Sequence, residues 1–162
     1  PSSVIGKYLT GFESGNSKMY GKFISEAKLT LKNTGPYTMQ SKISLNLSFL
    51  CKNELTDLVI RFLVVNQLGE IMFILNSLFS NVSFNCQPNQ YTTIECELGE
   101  TRLLSGSYLI NLEFFHKGEL IETMNYISSF VIDNSSLSIL EPIQKKGAYQ
   151  FSKWTTFNIL QE

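Results

Sequence analysis

The sequence predicts an all-β fold, an immunoglobulin-like or jelly-roll β-sandwich of about eight or nine antiparallel strands. Three observations carry this expectation. Ile43, Leu45, Leu47 and Phe49 alternate with Ser44, Asn46 and Ser48, the period of a strand with one face in a core and the other outside. Turn signals recur between such segments, at Asn33-Thr34-Gly35-Pro36, Asn66-Gln67-Leu68-Gly69, Lys117-Gly118 and Asp133-Asn134. No segment asks for a helix longer than a turn or two.

Taken in order, residues 1–21 are rich in Gly, Ser and Lys and read as a linker or N-terminal extension, with Tyr8, Phe12 and Tyr20 available to dock. Residues 22–162 form the sandwich. Ala27, Leu29 and Leu31 alternate with Lys28, Thr30 and Lys32 in a half-buried strand. Residues 55–65 fit either period, because Leu55, Leu58, Val59 and Phe62 also share a helical face. Their Val and Ile content and the turn at 66–69 favour a strand, with Ile71 to Leu75 returning beside it. Residues 80–90 read as a loop with a short strand at 82–84. Ile94, Cys96 and Leu98 share one face of the next strand, and Tyr108, Ile110, Leu112 and Phe114 share one face of another. Phe130 and Ile132 mark a further strand, 134–149 a long loop, and Phe151 to Leu160 a last strand holding Trp154.

Composition narrows the function classes. A chain of 162 residues suits one domain, and it can bury about 70% of its unfolded surface without staples. Charged residues make up 17%, below the usual figure of about 25%. The polar surface must therefore come from Ser, Thr, Asn and Gln. The net charge of −1 offers nothing to attract nucleic acid, and Lys145-Lys146 reads as a solvated loop. Cys51, Cys86 and Cys96 form no disulfide framework and no zinc-ligand pattern, which favours a cytosolic home with reduced thiols. The sequons at Asn46, Asn81 and Asn134 are expected by chance in an Asn- and Ser-rich chain. There is no run of about 18 apolar residues and no signal-peptide pattern. An opening on Pro1 reads as a processed or cloned fragment with room for a partner domain.

Catalytic signatures are missing. His116, the only histidine, excludes a histidine-based metal site and argues against a catalytic triad. It reads as a surface residue at a hairpin end. No phosphate-cradling loop or nucleophile elbow occurs. No catalytic residue, metal or cofactor is expected. Glu95 and Glu97 are two apart on one strand face, about 7 Å at the backbone, and Glu113 could join them from another strand. Glycosidases place two carboxylates about 5–9 Å apart, but no device to split the pKa values is visible, so outward-facing strand residues are the better reading.

The face opposite the alternating apolar residues carries the candidate site. Asn46, Arg61, Glu95, Asn111 and Glu113 supply planar groups that make paired hydrogen bonds at set angles, as sugar hydroxyls require. A sheet holds such groups rigidly and lowers the ordering cost of binding. Phe115, Tyr126 or Trp154 would supply a ring for the apolar side of a sugar, although a lone Trp near the end of a β domain more often packs in a seam.

The order of signals resembles the carbohydrate-binding C-terminal domain of the ATP-binding subunits of O-antigen ABC transporters, over roughly residues 20–157. Gly21-Lys22-Phe23-Ile24-Ser25-Glu26-Ala27-Lys28-Leu29 resembles that domain's opening. Leu58 to Asn66 followed by Gly69-Glu70-Ile71 resembles its strand–turn–strand element, with Asn66 in place of the more usual acidic residue. Leu104-Ser105-Gly106-Ser107-Tyr108-Leu109-Ile110 resembles its entry to a central strand, and Phe130-Val131-Ile132, a loop and Trp154 resemble its ending. The resemblance implies a non-catalytic module that recognises the modified non-reducing end of a lipid-linked O-antigen polysaccharide and couples chain termination to export. It implies work at the cytoplasmic side of the inner membrane beside a nucleotide-binding domain and a membrane permease. It further implies a homodimer, since ABC subunits act in pairs. Family members read different sugars, so no contact residue transfers and the site set rests on strand alternation. The competing expectations are a structural or adhesive β domain of a surface protein, and a glycoside-acting enzyme using Glu95, Glu97 or Glu113.

Overall fold

The computed structural model describes residues 18–33, 35–137, 148–149 and 152–160, the last two segments as backbone together with the Trp154 side chain. Among these described residues ten strands run β1 (Ile24–Leu31), β2 (Ile43–Cys51), β3 (Leu55–Asn66), β4 (Ile71–Asn76), β5 (Phe84–Cys86), β6 (Gln90–Leu98), β7 (Gly106–His116), β8 (Glu119–Ile132), β9 (Ala148–Tyr149) and β10 (Ser152–Leu160). They form two sheets, ordered β1-β2-β6-β10 and β8-β7-β3-β4-β9, with β5 paired to β3. All pairings between these strands are antiparallel except β4 with β9. The expected β-sandwich is therefore the observed one. Most of the expected 1–21 linker and the Lys145-Lys146 pair lie outside the described residues.

Alternation decides which side of each strand enters the core. In β2 every second residue from Ile43 to Cys51 is buried and those between are half-buried. In β3, the period settles in favour of a strand: Leu58, Ile60, Phe62 and Val64 are buried while Val59, Arg61 and Leu63 are not. The two inner faces meet through aromatic rings. Phe49 of β2 touches Phe114 of β7 edge-on at 5.2 Å between centroids, and Trp154 of β10 stacks on Phe62 of β3 at 5.5 Å and 7°. Such pairs add to the free energy of burial and lock one sheet against the other.

Local chemistry sets the turns. The Asn66 side-chain oxygen accepts from the N–H groups of Leu68 and Glu70, each at 2.9 Å, so this residue closes the β3–β4 turn. Lys117 and Gly118 join β7 to β8 with φ of 51° and 82°, a two-residue loop whose positive φ values match the twist of the strands. Asn76 caps a single 3-10 turn, Ser77–Ser80, by accepting from the Leu78 N–H. Ser77 within that turn is fully buried, and its hydroxyl accepts from the Ile60 N–H at 3.1 Å. The short strand expected at 82–84 forms two residues later, as Phe84–Cys86.

At the opposite end from the β7–β8 hairpin, Asn134 ties three loops together. Its Oδ1 accepts from the Met39 N–H at 2.7 Å, its Nδ2 donates to the Leu103 carbonyl at 3.0 Å, and its own N–H donates to the Ser105 hydroxyl. The amide of this sequon is thus engaged in the fold. Asn134→Ala is expected to lose two side-chain hydrogen bonds and leave their backbone partners unpaired, destabilising the domain by about 2–3 kcal/mol in urea unfolding. A change below about 0.5 kcal/mol would mean that solvent satisfies those groups equally well.

Candidate functional site

The residues that alternation marks as outward do not share one face. A sandwich has two outer faces, and the structure divides the candidates between them. Asn46 on β2 and Glu95 on β6 are paired positions on the outside of the first sheet. Arg61 on β3 and Asn111, Glu113 and Phe115 on β7 stand on the outside of the second, across the thickness of the molecule. Trp154 is on neither, since its ring lies between the sheets against Phe62 and Phe84. The carboxylate grouping is corrected in the same way: Glu113 does not join Glu95 and Glu97.

The first sheet's outer face is a polar ladder. Register sets Lys28, Ser48 and Thr93 in one row, and Thr30, Asn46 and Glu95 in the next. Glu95 is held by Lys32 at 2.7 Å. At the edge of this face Glu26 receives Lys18 at 2.8 Å and the Tyr91 hydroxyl at 3.0 Å. The hydrogen bond from Lys18 holds the Glu26 carboxyl below the usual carboxylate range, although burial opposes the effect. Glu26 and Glu95 are thus each engaged by a lysine of the same chain.

The second sheet's outer face is built differently. Arg61 and Glu113 occupy directly opposed positions on β3 and β7, close enough for cross-strand pairing. Nε and one terminal nitrogen of Arg61 both approach Oε2 of Glu113 at 2.5 Å. This contact fixes the guanidinium plane and leaves the other terminal nitrogen and Oε1 of Glu113 outside the pair. The guanidinium carbon sits 4.5 Å from the centroid of the Phe115 ring, two residues along β7. Glu113 is only 8% exposed, because Arg61 on one side and Thr123 on the other crowd it in register.

Asn111 completes this side of the cluster from one row further along β7, opposite Leu63. Here β8 carries an irregularity that alternation alone does not reveal. Between the Ile110–Ser128 and Leu112–Met124 pairs, residues 125 to 127 of β8 face the single residue Asn111 of β7. The Tyr126 backbone turns to φ 58°, a rare state for a large side chain. Its N–H is recaptured by Asn111 Oδ1 at 2.8 Å, and the residue is 46% exposed. Four of the eight candidates therefore share one outer face, Arg61, Asn111, Glu113 and Phe115, and Tyr126 is tied to Asn111 through its backbone.

This two-sheet arrangement has a counterpart among solved structures. The fold is that of the C-terminal domain of wzt. The crystal structure of that domain superimposes with a TM-score of 0.59 at 13% sequence identity, over 76% of this chain and 80% of that one. No family model and no curated protein matches the sequence. The superposition establishes a wzt-type fold, and identity at this level transfers no residue role. Among the described residues no cluster of three metal-ligating side chains occurs, and no helix is long and apolar enough to cross a membrane.

Proposed function

We propose that the domain binds carbohydrate without transforming it, through the outer face of the second sheet. The observation that carries this reading is the Arg61–Glu113 pair held against Phe115 on a wzt-type fold. A fixed guanidinium edge supplies donors, Asn111 supplies an amide, and Phe115 and Tyr126 supply ring surface. Sugars present the same combination, hydroxyls around the rim and C–H groups on the faces. The cluster is ordered before any ligand arrives, which reduces the entropy lost on binding. Neutralisation of Arg61 by Glu113 suits an uncharged polyol better than an anion.

The sequence resemblance supports a narrower version. In it the ligand is the modified non-reducing terminus of a lipid-linked O-antigen polysaccharide, and the domain acts as a checkpoint that couples chain termination to export. Its partners would be the nucleotide-binding domain and the membrane permease of an ABC transporter, at the cytoplasmic side of the inner membrane, with the domain paired as a homodimer.

Calorimetric titration with the O-polysaccharide of the source strain, with and without its terminal modification, tests both levels. Binding of the modified chain alone is the expected result. Binding of both forms would retain the carbohydrate module and remove the checkpoint. Binding of neither by the folded domain would remove both and favour a structural or adhesive domain.

A further inference from the structure

Cys51 closes β2 in the first sheet and Cys86 closes β5 on the second. Two backbone pairings bring them together. Leu55 pairs with Cys86 within the β3–β5 ladder, and Cys51 itself bridges to Pro88. Both side chains enter the same buried core cluster, where each thiol shifts the titration of the other. Both residues are buried, at 2% and 1% exposure, and neither is in a disulfide. The third cysteine takes a different place: Cys96 faces the core from β6 in register with Leu45 and Trp154.

We infer that Cys51 and Cys86 are a redox-closable pair, reduced at rest and joined as a disulfide between the sheets when the folded domain meets a two-electron oxidant such as hydrogen peroxide.

The environment separates the two thiols chemically. The hydrogen bond from Cys51 lowers the pKa of Cys86, with help from Thr92 and against burial, while the same contact and burial push Cys51 up. Cys86 is then the thiolate that attacks. Its sulfur displaces hydroxide from the peroxide and becomes a sulfenic acid. The Cys51 sulfur next attacks that sulfenic sulfur, the S–S bond forms, and the departing hydroxide leaves as water with the Cys51 proton. Two thiols and one peroxide give one disulfide and two waters, each sulfur losing one electron. Because β5 is a three-residue strand, local opening of this segment offers the oxidant a route to thiols that are closed in the folded state. The pair lies apart from the Arg61 cluster, and the inference is independent of what that cluster binds.

The test is to expose the folded chain to hydrogen peroxide, quench, and titrate thiols in denaturant. The expected result is a fall from three reactive thiols to one, loss of two hydrogens by mass, and a peptide map linking Cys51 to Cys86. The Cys86→Ser variant is expected to keep both of its thiols under the same treatment. Three thiols surviving in the wild-type chain, or a map linking either residue to Cys96, would overturn the inference. The wild-type map decides the matter even if Cys86→Ser fails to fold.

Discussion

Trp154→Ala is expected to destabilise the domain by about 3–5 kcal/mol while leaving the carbohydrate affinity of the folded fraction unchanged. The ring stacks on Phe62, which is fully buried, and also meets Phe84, so its removal opens a cavity where three strands converge. The indole N–H is buried with no hydrogen-bond partner among the described residues. Trp154→Phe would remove that unpaired donor and keep most of the ring, so it should cost less than about 1.5 kcal/mol. Urea unfolding of the two variants, followed by circular dichroism because Trp154 is the only tryptophan, measures the difference. Should Trp154→Phe retain stability and lose sugar binding, the ring would be a ligand platform and its seam position would have been misread.

Arg61→Ala is expected to weaken binding of the polysaccharide by about 30-fold or more, the range of a hot-spot arginine. The variant removes the donors, uncovers one face of Phe115 and leaves Glu113 without its Arg61 partner in a crowded position. Part of the damage would therefore be structural. Arg61→Lys separates the two effects, because it keeps the charge and loses the planar fork and the ring contact. It should unfold close to wild type yet still bind about tenfold or more weakly, a ratio worth about 1.4 kcal/mol. Calorimetry run beside urea unfolding on both variants checks this. Full affinity in Arg61→Lys would reduce the residue to a point charge. Full affinity in Arg61→Ala, with loss in Asn46→Ala, would move the site to the first sheet.

These expectations depend on the fold far more than on any motif. Alternation within a strand is a local property, and it identified the core side of β2, β3, β6 and β7 without knowledge of the partners. Turn chemistry is local as well. Asn66 closes its own turn, and Lys117-Gly118 supplies the positive φ values a two-residue hairpin needs. The length of β8 was not legible. Its inward positions Met124, Ser128, Phe130 and Ile132 keep an even spacing, but between them Tyr126 turns out, Ile127 turns in and Ser128 is polar, so apolar alternation is clear only at Phe130 and Ile132.

The sequence by itself determined an all-β chain, its main strands and the side of each that enters the core, because these follow from side-chain period and backbone preference over a few residues. Only the tertiary structure decided which outward residues are neighbours. Alternation says inside or outside, and a sandwich has two outsides, so Asn46 and Glu95 parted from Arg61, Asn111, Glu113 and Phe115. Strand order is a long-range property: it put Arg61 opposite Glu113 and Cys51 beside Cys86, although each pair is remote in sequence. The Tyr126 bulge belongs to the same level, since the two extra residues of β8 are defined only by the strand they face.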